Sequence, residues 1–207
     1  MKLYLIRHTS VKTPPFLCYG QTDVDVSDQF QIETEQVKQI IKPNSKMIYY
    51  SSPSLRCRRL TEQFTHEYLI EPKLMELNFG EWENHSWKDI ENTPEFKVWA
   101  DNFDQLETPH GESYQTLQNR VYETILKIIH QYPDDSEIVI ITHGGPIRAF
   151  LAKIFEIPLK QSFRQNIDFH SVTLLEITQD QTDHDVFPHF QMIYANRKDH
   201  ESDLFFK

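Results

Sequence analysis

Cysteine is scarce in this chain of 207 residues: there are two, Cys18 and Cys57, with no Cys-x-x-Cys spacing. That argues against a disulfide or zinc framework and for a reducing compartment, so a cytoplasmic location is expected. Basic runs are absent too. Lys and Arg number 21 against 31 Asp and Glu, a formal net charge of -10, so attraction to nucleic acid or to an acidic membrane surface is not expected. An anionic ligand would have to be held by a few focused arginines. No run of 18 apolar residues occurs and the chain starts directly in a strand-like segment without a signal-peptide core, which excludes a spanning helix and gives no sign of export. Internal repeats and low-complexity stretches are also lacking. With 39% hydrophobic residues, the chain is long enough for one sizeable core carrying a small insertion.

What is present is an alternation of apolar β-rich runs with helical patterns, the signature of an α/β fold with a mostly parallel sheet. The runs around Leu3 to Arg7, Met47 to Ser51, Glu137 to Thr142, Val172 to Thr178 and Phe190 to Tyr194 read as strands. Val11 to Ser27, with Pro14, Pro15 and Gly20, reads as a long functional loop. Ser27 is expected to cap a helix running to Pro43 that buries Phe30, Val37, Ile40 and Ile41. A second helix follows Ser52-Pro53 and carries Cys57, Leu60 and Phe64 on one face, with Arg56 in its first turn aimed back at the strand ends. Residues 78–111 break the alternation with Phe79, Trp82, Trp87, Phe96, Trp99 and Phe103 among acids and prolines, and read as an insertion over a site. Tyr114, Leu117, Val121, Ile125, Ile128 and Tyr132 then mark a long amphipathic helix stopped by Pro133. Gly144-Gly145-Pro146 opens a helix burying Ile147, Phe150, Leu151 and Ile154. The residues from Asn196 onward read as loosely ordered.

Two histidines stand just past predicted strands, His8 in Leu5-Ile6-Arg7-His8 and His143 in Ile141-Thr142-His143-Gly144. In a mostly parallel sheet, ligands sit beyond the carboxyl ends of the strands, so the two imidazoles would meet in one pocket. An imidazole flanked by guanidinium is suited to attack or hold a phosphoryl group. Cleaving a phosphate monoester needs a neutral imidazole with its other nitrogen held by a carbonyl or carboxylate, a role that falls to His8. Donors around the equatorial oxygens come from Arg7, Arg56 and His143. The leaving oxygen needs a proton from a partly buried carboxyl, and Glu76, in Leu74-Met75-Glu76-Leu77, is the acid most embedded in apolar neighbours.

These segments together resemble the histidine phosphatases related to cofactor-dependent phosphoglycerate mutase, over nearly the whole length. Leu5-Ile6-Arg7-His8 is similar to the family's Arg-His-Gly signature. Ser51-Ser52-Pro53-Ser54-Leu55-Arg56-Cys57 resembles its Ser-Ser-Pro-Leu-x-Arg-Ala segment. Glu76-Leu77-Asn78-Phe79-Gly80-Glu81-Trp82-Glu83 resembles the stretch holding the proton donor of the phosphatase branch, Thr142-His143-Gly144-Gly145-Pro146 that of the second histidine, and Pro109-His110-Gly111-Glu112-Ser113 a Pro-Gly-Gly-Glu-Ser turn. The resemblance implies a three-layer α/β/α sandwich, 1–207 as one domain with the insertion at about 78–111, and a phosphohistidine at His8 with no metal and no cofactor. Thr9 and Ser10 depart from the family's glycine and glutamate. Cys18-Tyr19-Gly20-Gln21-Thr22-Asp23-Val24 is similar to the loop of the alpha-ribazole phosphatase branch, which implies alpha-ribazole 5'-phosphate as substrate, with Tyr19, Gln21 and Gly144 as further substrate-binding candidates. No Arg-His-Tyr-Gly segment of the mutase kind is present. A mutase, a phosphoprotein phosphatase and an inactive phosphate-binding module are the alternatives.

The expected partner is therefore a small phosphorylated metabolite, not nucleic acid or a membrane, and a homodimer is left open. Other polar residues carry plainer expectations. Glu112 reads as an acid favoured by a helix N-terminus, Arg58, Arg59 and Arg148 as solvated or helix-associated charges, and Cys57 as core. Tyr19, Trp82 and Trp87 read as packing before base stacking. His66, His85, His110, His130, His170, His184, His189 and His200 read as surface or structural residues without metal-ligand spacing.

Overall fold

The computed structural model describes residues 1–179 and 188–198. The predicted loop between the last two strands, His184, His200 and the Leu204-Phe205-Phe206 tail lie outside the described residues. Six strands form one sheet in the order β3-β2-β4-β1-β5-β6. They are β1 (Lys2–Arg7), β2 (Met47–Ser51), β3 (Leu69–Ile70), β4 (Glu137–Thr142), β5 (Val172–Gln179) and β6 (Pro188–Arg197). β3, β2, β4 and β1 run parallel, and β5 and β6 close one side antiparallel.

Alternation along the central strands divides the core into two layers. Leu3, Leu5, Ile138 and Ile140 face one side, where they pack beneath helices α5 (Tyr114–Ile129) and α6 (Gly144–Ile154). Tyr4, Ile6, Val139 and Ile141 face the other, toward α1 (Phe30–Ile41) and α2 (Leu55–Thr61). Strands buried on both faces read as continuous apolar runs, which is why Ile138-Val139-Ile140-Ile141 carries no polar residue. The result is the α/β fold that the alternation implied, in the three layers that the resemblance implied.

Local differences from expectation have physical causes. α1 begins at Phe30 rather than after Ser27, and no side chain caps it. The Ser27 hydroxyl is instead 2.5 Å from the Ser10 hydroxyl, Ser27 N donates to Ser10 O at 2.9 Å, and Val11 pairs with Val26. These contacts cinch the base of the 11–27 loop. α2 ends at Thr61 and α5 at Ile129, so Phe64 and Tyr132 reach their cores from the turns that follow; the Tyr132 hydroxyl lies 2.8 Å from that of Tyr50. Asn196 and Arg197 belong to β6 rather than to a loose terminus.

The insertion holds α3 (Trp87–Ile90) and α4 (Pro94–Asp101), capped by the Ser86 and Thr93 hydroxyls. Trp82 is buried among Trp87, Phe96 and Trp99, with its ring 5.2 Å from that of Trp99, so these aromatics are first a small satellite core. Glu83 bonds the insertion to the loop, accepting from Gln21 N at 2.7 Å, from Thr22 N at 2.6 Å and from the Thr22 hydroxyl. Among the described residues no helix is long and apolar enough to cross a membrane.

Candidate active site

Parallel pairing sets the site. Arg7 is in register with Thr142 and Ser51 with Ile141, so the residues following β1, β2 and β4 emerge side by side at one edge of the sheet.

His8 is buried and anchored by its N–H on Thr142 O at 3.0 Å. Its Nδ1 lies 2.7 Å from Thr9 O. A carbonyl only accepts, so Nδ1 carries the proton and Nε2 carries the lone pair. Consistent with that tautomer, Arg56 Nε donates to His8 Nε2 at 3.2 Å. Burial, then the charges of Arg56 and Arg7, hold the His8 pKa well below the ordinary imidazole value, so the ring is neutral near pH 7.

Arg56 is fully buried. Besides His8, it donates through Nη1 to Thr22 O at 2.9 Å and through Nη2 to Gly20 O at 2.7 Å, leaving two of its five N–H bonds for a ligand. Arg7 donates through Nη1 to Ile167 O at 2.6 Å and lies 3.8 Å over the Phe169 ring. Its Nε is buried with no hydrogen-bond partner among the described residues. Burial lowers its pKa, opposed by Glu76.

His143 caps the start of α6 and is wholly buried, its ring edge-on to His8 at 5.2 Å. Its Nε2 is 2.8 Å from the Ser52 hydroxyl and 3.4 Å from that of Ser54. Burial, then Arg56, hold its pKa well below the ordinary value. Cys57 lies beneath this ring, and burial pushes its thiol up to about 12, which leaves it as core rather than nucleophile.

Glu76 supplies the carboxylate. Oε1 accepts from Leu77 N at 2.9 Å and Oε2 from Gly145 N at 3.1 Å. Gly145 has to be glycine for this: a Cβ there would stand 2.0 Å from Oε1.

Arg7, His8, Arg56 and Glu76 line one cavity of about 220 Å³, walled further by Tyr19, Phe79 and Trp87. Tyr19 is thus a wall residue, with its ring 5.5 Å from the Arg56 guanidinium carbon. Gln21, Gly144 and His143, expected to touch the substrate or its phosphate, do not line the cavity and act from behind. Gln21 Nε2 donates to Glu76 O at 3.1 Å, and Gly144 lets the Arg7 guanidinium pack close, since a Cβ there would lie 3.3 Å from Nε.

Several site residues were not singled out from sequence. Arg120 donates to the carbonyls of Lys73, Met75 and Glu76 at 2.7, 2.8 and 2.9 Å, and to Glu112 at 2.6 and 2.9 Å. Glu112 also accepts from Asn78 N at 2.9 Å, so it is half of a brace for the Glu76 segment rather than a plain helix-terminal acid. Arg148, expected as a solvated or helix-associated charge, is on α6 and lines the cavity beside Tyr114 and Phe163. His170 is a structural residue, but a close one: its N–H donates to His8 O at 3.0 Å, and its ring lies 3.4 Å from Glu33, which also accepts from Ser10 N at 2.7 Å. Glu33 thereby fastens the unusual Thr9-Ser10 segment.

The chain has relatives among known proteins. Phosphoserine phosphatase 1 of Hydrogenobacter thermophilus is 24% identical over 186 residues, 86% of this chain and 88% of that protein. The adenosylcobalamin/alpha-ribazole phosphatase of Escherichia coli is 22% identical over 112 residues, 53% of this chain and 55% of that protein. The crystal structure of a putative alpha-ribazole-5'-P phosphatase from Escherichia coli shares the fold, with a TM-score of 0.83 at 17% identity over 96% of this chain and 97% of that one. The sequence profile of the histidine phosphatase superfamily (branch 1) matches residues 3–187, and with nearly the whole sheet and the site inside that span, the chain belongs to the histidine phosphatase superfamily.

Proposed function

We propose that the protein hydrolyses small phosphomonoesters through a phosphohistidine at His8, without a metal. The observation that carries this reading is the unprotonated Nε2 of His8, its tautomer fixed by the Thr9 carbonyl and its ring kept neutral by burial and by Arg56 and Arg7, in a cavity shared with those two guanidiniums and Glu76. The phosphoryl group would lie against Arg7 and Arg56, giving the unpaired Arg7 Nε an acceptor. His8 Nε2 attacks phosphorus, the bond to the ester oxygen breaks, and that oxygen takes the proton of the Glu76 carboxyl as the alcohol leaves. Water then attacks phosphorus, gives its proton to the Glu76 carboxylate, and the phosphorus–nitrogen bond breaks to return the lone pair to His8. His143, its ring edge-on to that of His8 and its Nε2 beside the Ser52 hydroxyl, would hold the attacking ring in place from behind.

Two kinds of alcohol suit the walls. The flat rings of Tyr19, Phe79 and Trp87 support alpha-ribazole 5'-phosphate, the reading drawn from the Cys18–Val24 loop. The modest volume and a third guanidinium, Arg148, support a small anionic alcohol instead. The mechanism is tested by incubation with p-nitrophenyl phosphate in EDTA, followed by an alkaline denaturing quench and peptide mass spectrometry. Hydrolysis with a phosphoryl adduct on the His8 peptide is expected. A His8→Ala variant that keeps near-normal turnover would remove the mechanism.

A further inference from the structure

We infer that Arg148 is the subsite for a carboxylate on the leaving alcohol, so that the preferred substrates are phosphate esters of small hydroxy acids. This inference rests on the phosphatase reading of the same cavity and assigns the wall that the phosphoryl chemistry leaves unused.

Arg148 lies one helical turn beyond Gly145 on α6, so the two share a helix face. Gly145 donates to the Glu76 carboxylate, which places Arg148 on the side of the cavity where the leaving oxygen departs. Its guanidinium carbon sits 4.6 Å over the Phe163 ring and its Nε donates to Gln165 O at 3.2 Å. One face and one edge of the plane are thus fixed, and the terminal nitrogens project beside the Tyr114 hydroxyl. A planar fork held in this way is preorganised for a carboxylate. Among the described residues no Asp or Glu forms an ion pair with Arg148.

Charge balance leads to the same assignment. Arg7, Arg56 and Arg148 put three guanidiniums in the cavity lining. A phosphoryl dianion matches Arg7 and Arg56. Arg148 then stands, with no acidic ion-pair partner among the described residues, in a wall that also holds Leu77, Phe79 and Phe163, and a carboxylate would give its fork a partner. A cavity of about 220 Å³ lies below the roughly 300 Å³ at which pockets for drug-sized ligands begin, and so suits an alcohol of a few carbons.

The test uses the full chain and two nearly isosteric esters, 3-phosphoglycerate and glycerol 3-phosphate, which differ in a carboxylate against a hydroxymethyl group. In the unaltered protein kcat/KM is expected to favour the acid by about 10²-fold, in line with loss of a bidentate charged contact. Arg148→Met is expected to bring that ratio to within about threefold of unity, with the change carried by KM, and Arg148→Lys to restore part of it. The ratio cancels any general loss of folded protein. An unaltered protein that shows no preference for the acid, or an Arg148→Met ratio equal to that of the unaltered protein, overturns the subsite. Turnover of alpha-ribazole 5'-phosphate faster than of the acid overturns the substrate class. If p-nitrophenyl phosphate is not hydrolysed either, the phosphatase reading fails by itself. The same pair is then compared by calorimetric binding, where a preference abolished by Arg148→Met upholds the subsite and an unchanged or absent preference overturns it.

Discussion

Arg56 Nε donates to His8 Nε2 at 3.2 Å, while the other two guanidinium nitrogens hold the carbonyls of Gly20 and Thr22. One buried side chain therefore marks the nucleophilic nitrogen and fixes the loop facing it. A lysine has one nitrogen and cannot meet three acceptors in three directions. Arg56→Lys should lower kcat by about 10²–10³-fold, the range for loss of one well-aimed transition-state donor. Limited proteolysis should also show earlier cleavage within 11–27. Unchanged kcat would mean that the guanidinium serves the loop alone.

Glu76 is assigned to the proton delivered to the leaving oxygen, so the cost of losing it should depend on how much that oxygen needs a proton. Glu76→Gln should reduce kcat on an alkyl phosphate by about 10²–10⁴-fold and on p-nitrophenyl phosphate, whose phenolate leaves readily, far less. Equal losses on both esters would point to a positioning role for this side chain.

Gly145→Ala probes the same carboxylate from its other side. The added Cβ would lie 2.0 Å from Glu76 Oε1, and the flexible end of the glutamate is the part that can give way. A displacement of about 1 Å is enough for a loss on the order of 10²-fold in kcat. Thermal denaturation should shift by only a few degrees, which separates misplacement from unfolding.

Arg120 joins Glu112 to the backbone carbonyls of Lys73, Met75 and Glu76, and both charged side chains are shielded, at 17% and 12% exposure. Arg120→Met leaves Glu112 without its charged partner and the Lys73 and Met75 carbonyls without this donor. Urea unfolding should show a loss of about 3 kcal/mol, as for other shielded pairs broken on one side, and kcat should fall with it because the Glu76 segment loses its brace.

Acid should destabilise the fold through the two active-site imidazoles. His8 and His143 are both held well below the ordinary value of 6.5. Well above pH 6.5 they are neutral folded and unfolded, and contribute no slope. As pH falls below 6.5, the unfolded chain takes up protons that the folded one does not, so stability decreases by up to about 1.4 kcal/mol per pH unit for each ring. His143→Asn should flatten the dependence of the urea midpoint on pH between 6.5 and 5, and an unchanged slope would contradict buried neutral rings.

Much of this arrangement was legible before any coordinates. An unbroken apolar run ending in a histidine marks a central strand and its exit, and two such runs, at His8 and His143, define the site edge because parallel strands end together. Arg56 was legible from its place one step off the Cys57 and Leu60 stripe. Arg148 was not: beside the apolar positions Ile147, Phe150 and Leu151 it reads as part of a polar face, and periodicity does not distinguish a face turned to solvent from one turned to a ligand. The Arg120 brace was hidden for another reason. Its partners at 73–76 are backbone carbonyls, which every residue has, so no side-chain pattern announces them. Ser27 misled because its hydroxyl suits either a helix cap or the clasp with Ser10, and the loop closure took it.

The place of β1 in the sheet bears on how the protein is made. This strand precedes all others in the chain, yet it sits between β4 and β5, and Lys2 meets Glu137 across 135 residues. During synthesis its apolar residues have no lasting neighbour until the second half of the polypeptide has emerged, and pairing over such distances is slow. The attacking imidazole is thus among the earliest residues translated and among the last to gain its surroundings, so fragments ending before β4 should lack phosphatase chemistry altogether.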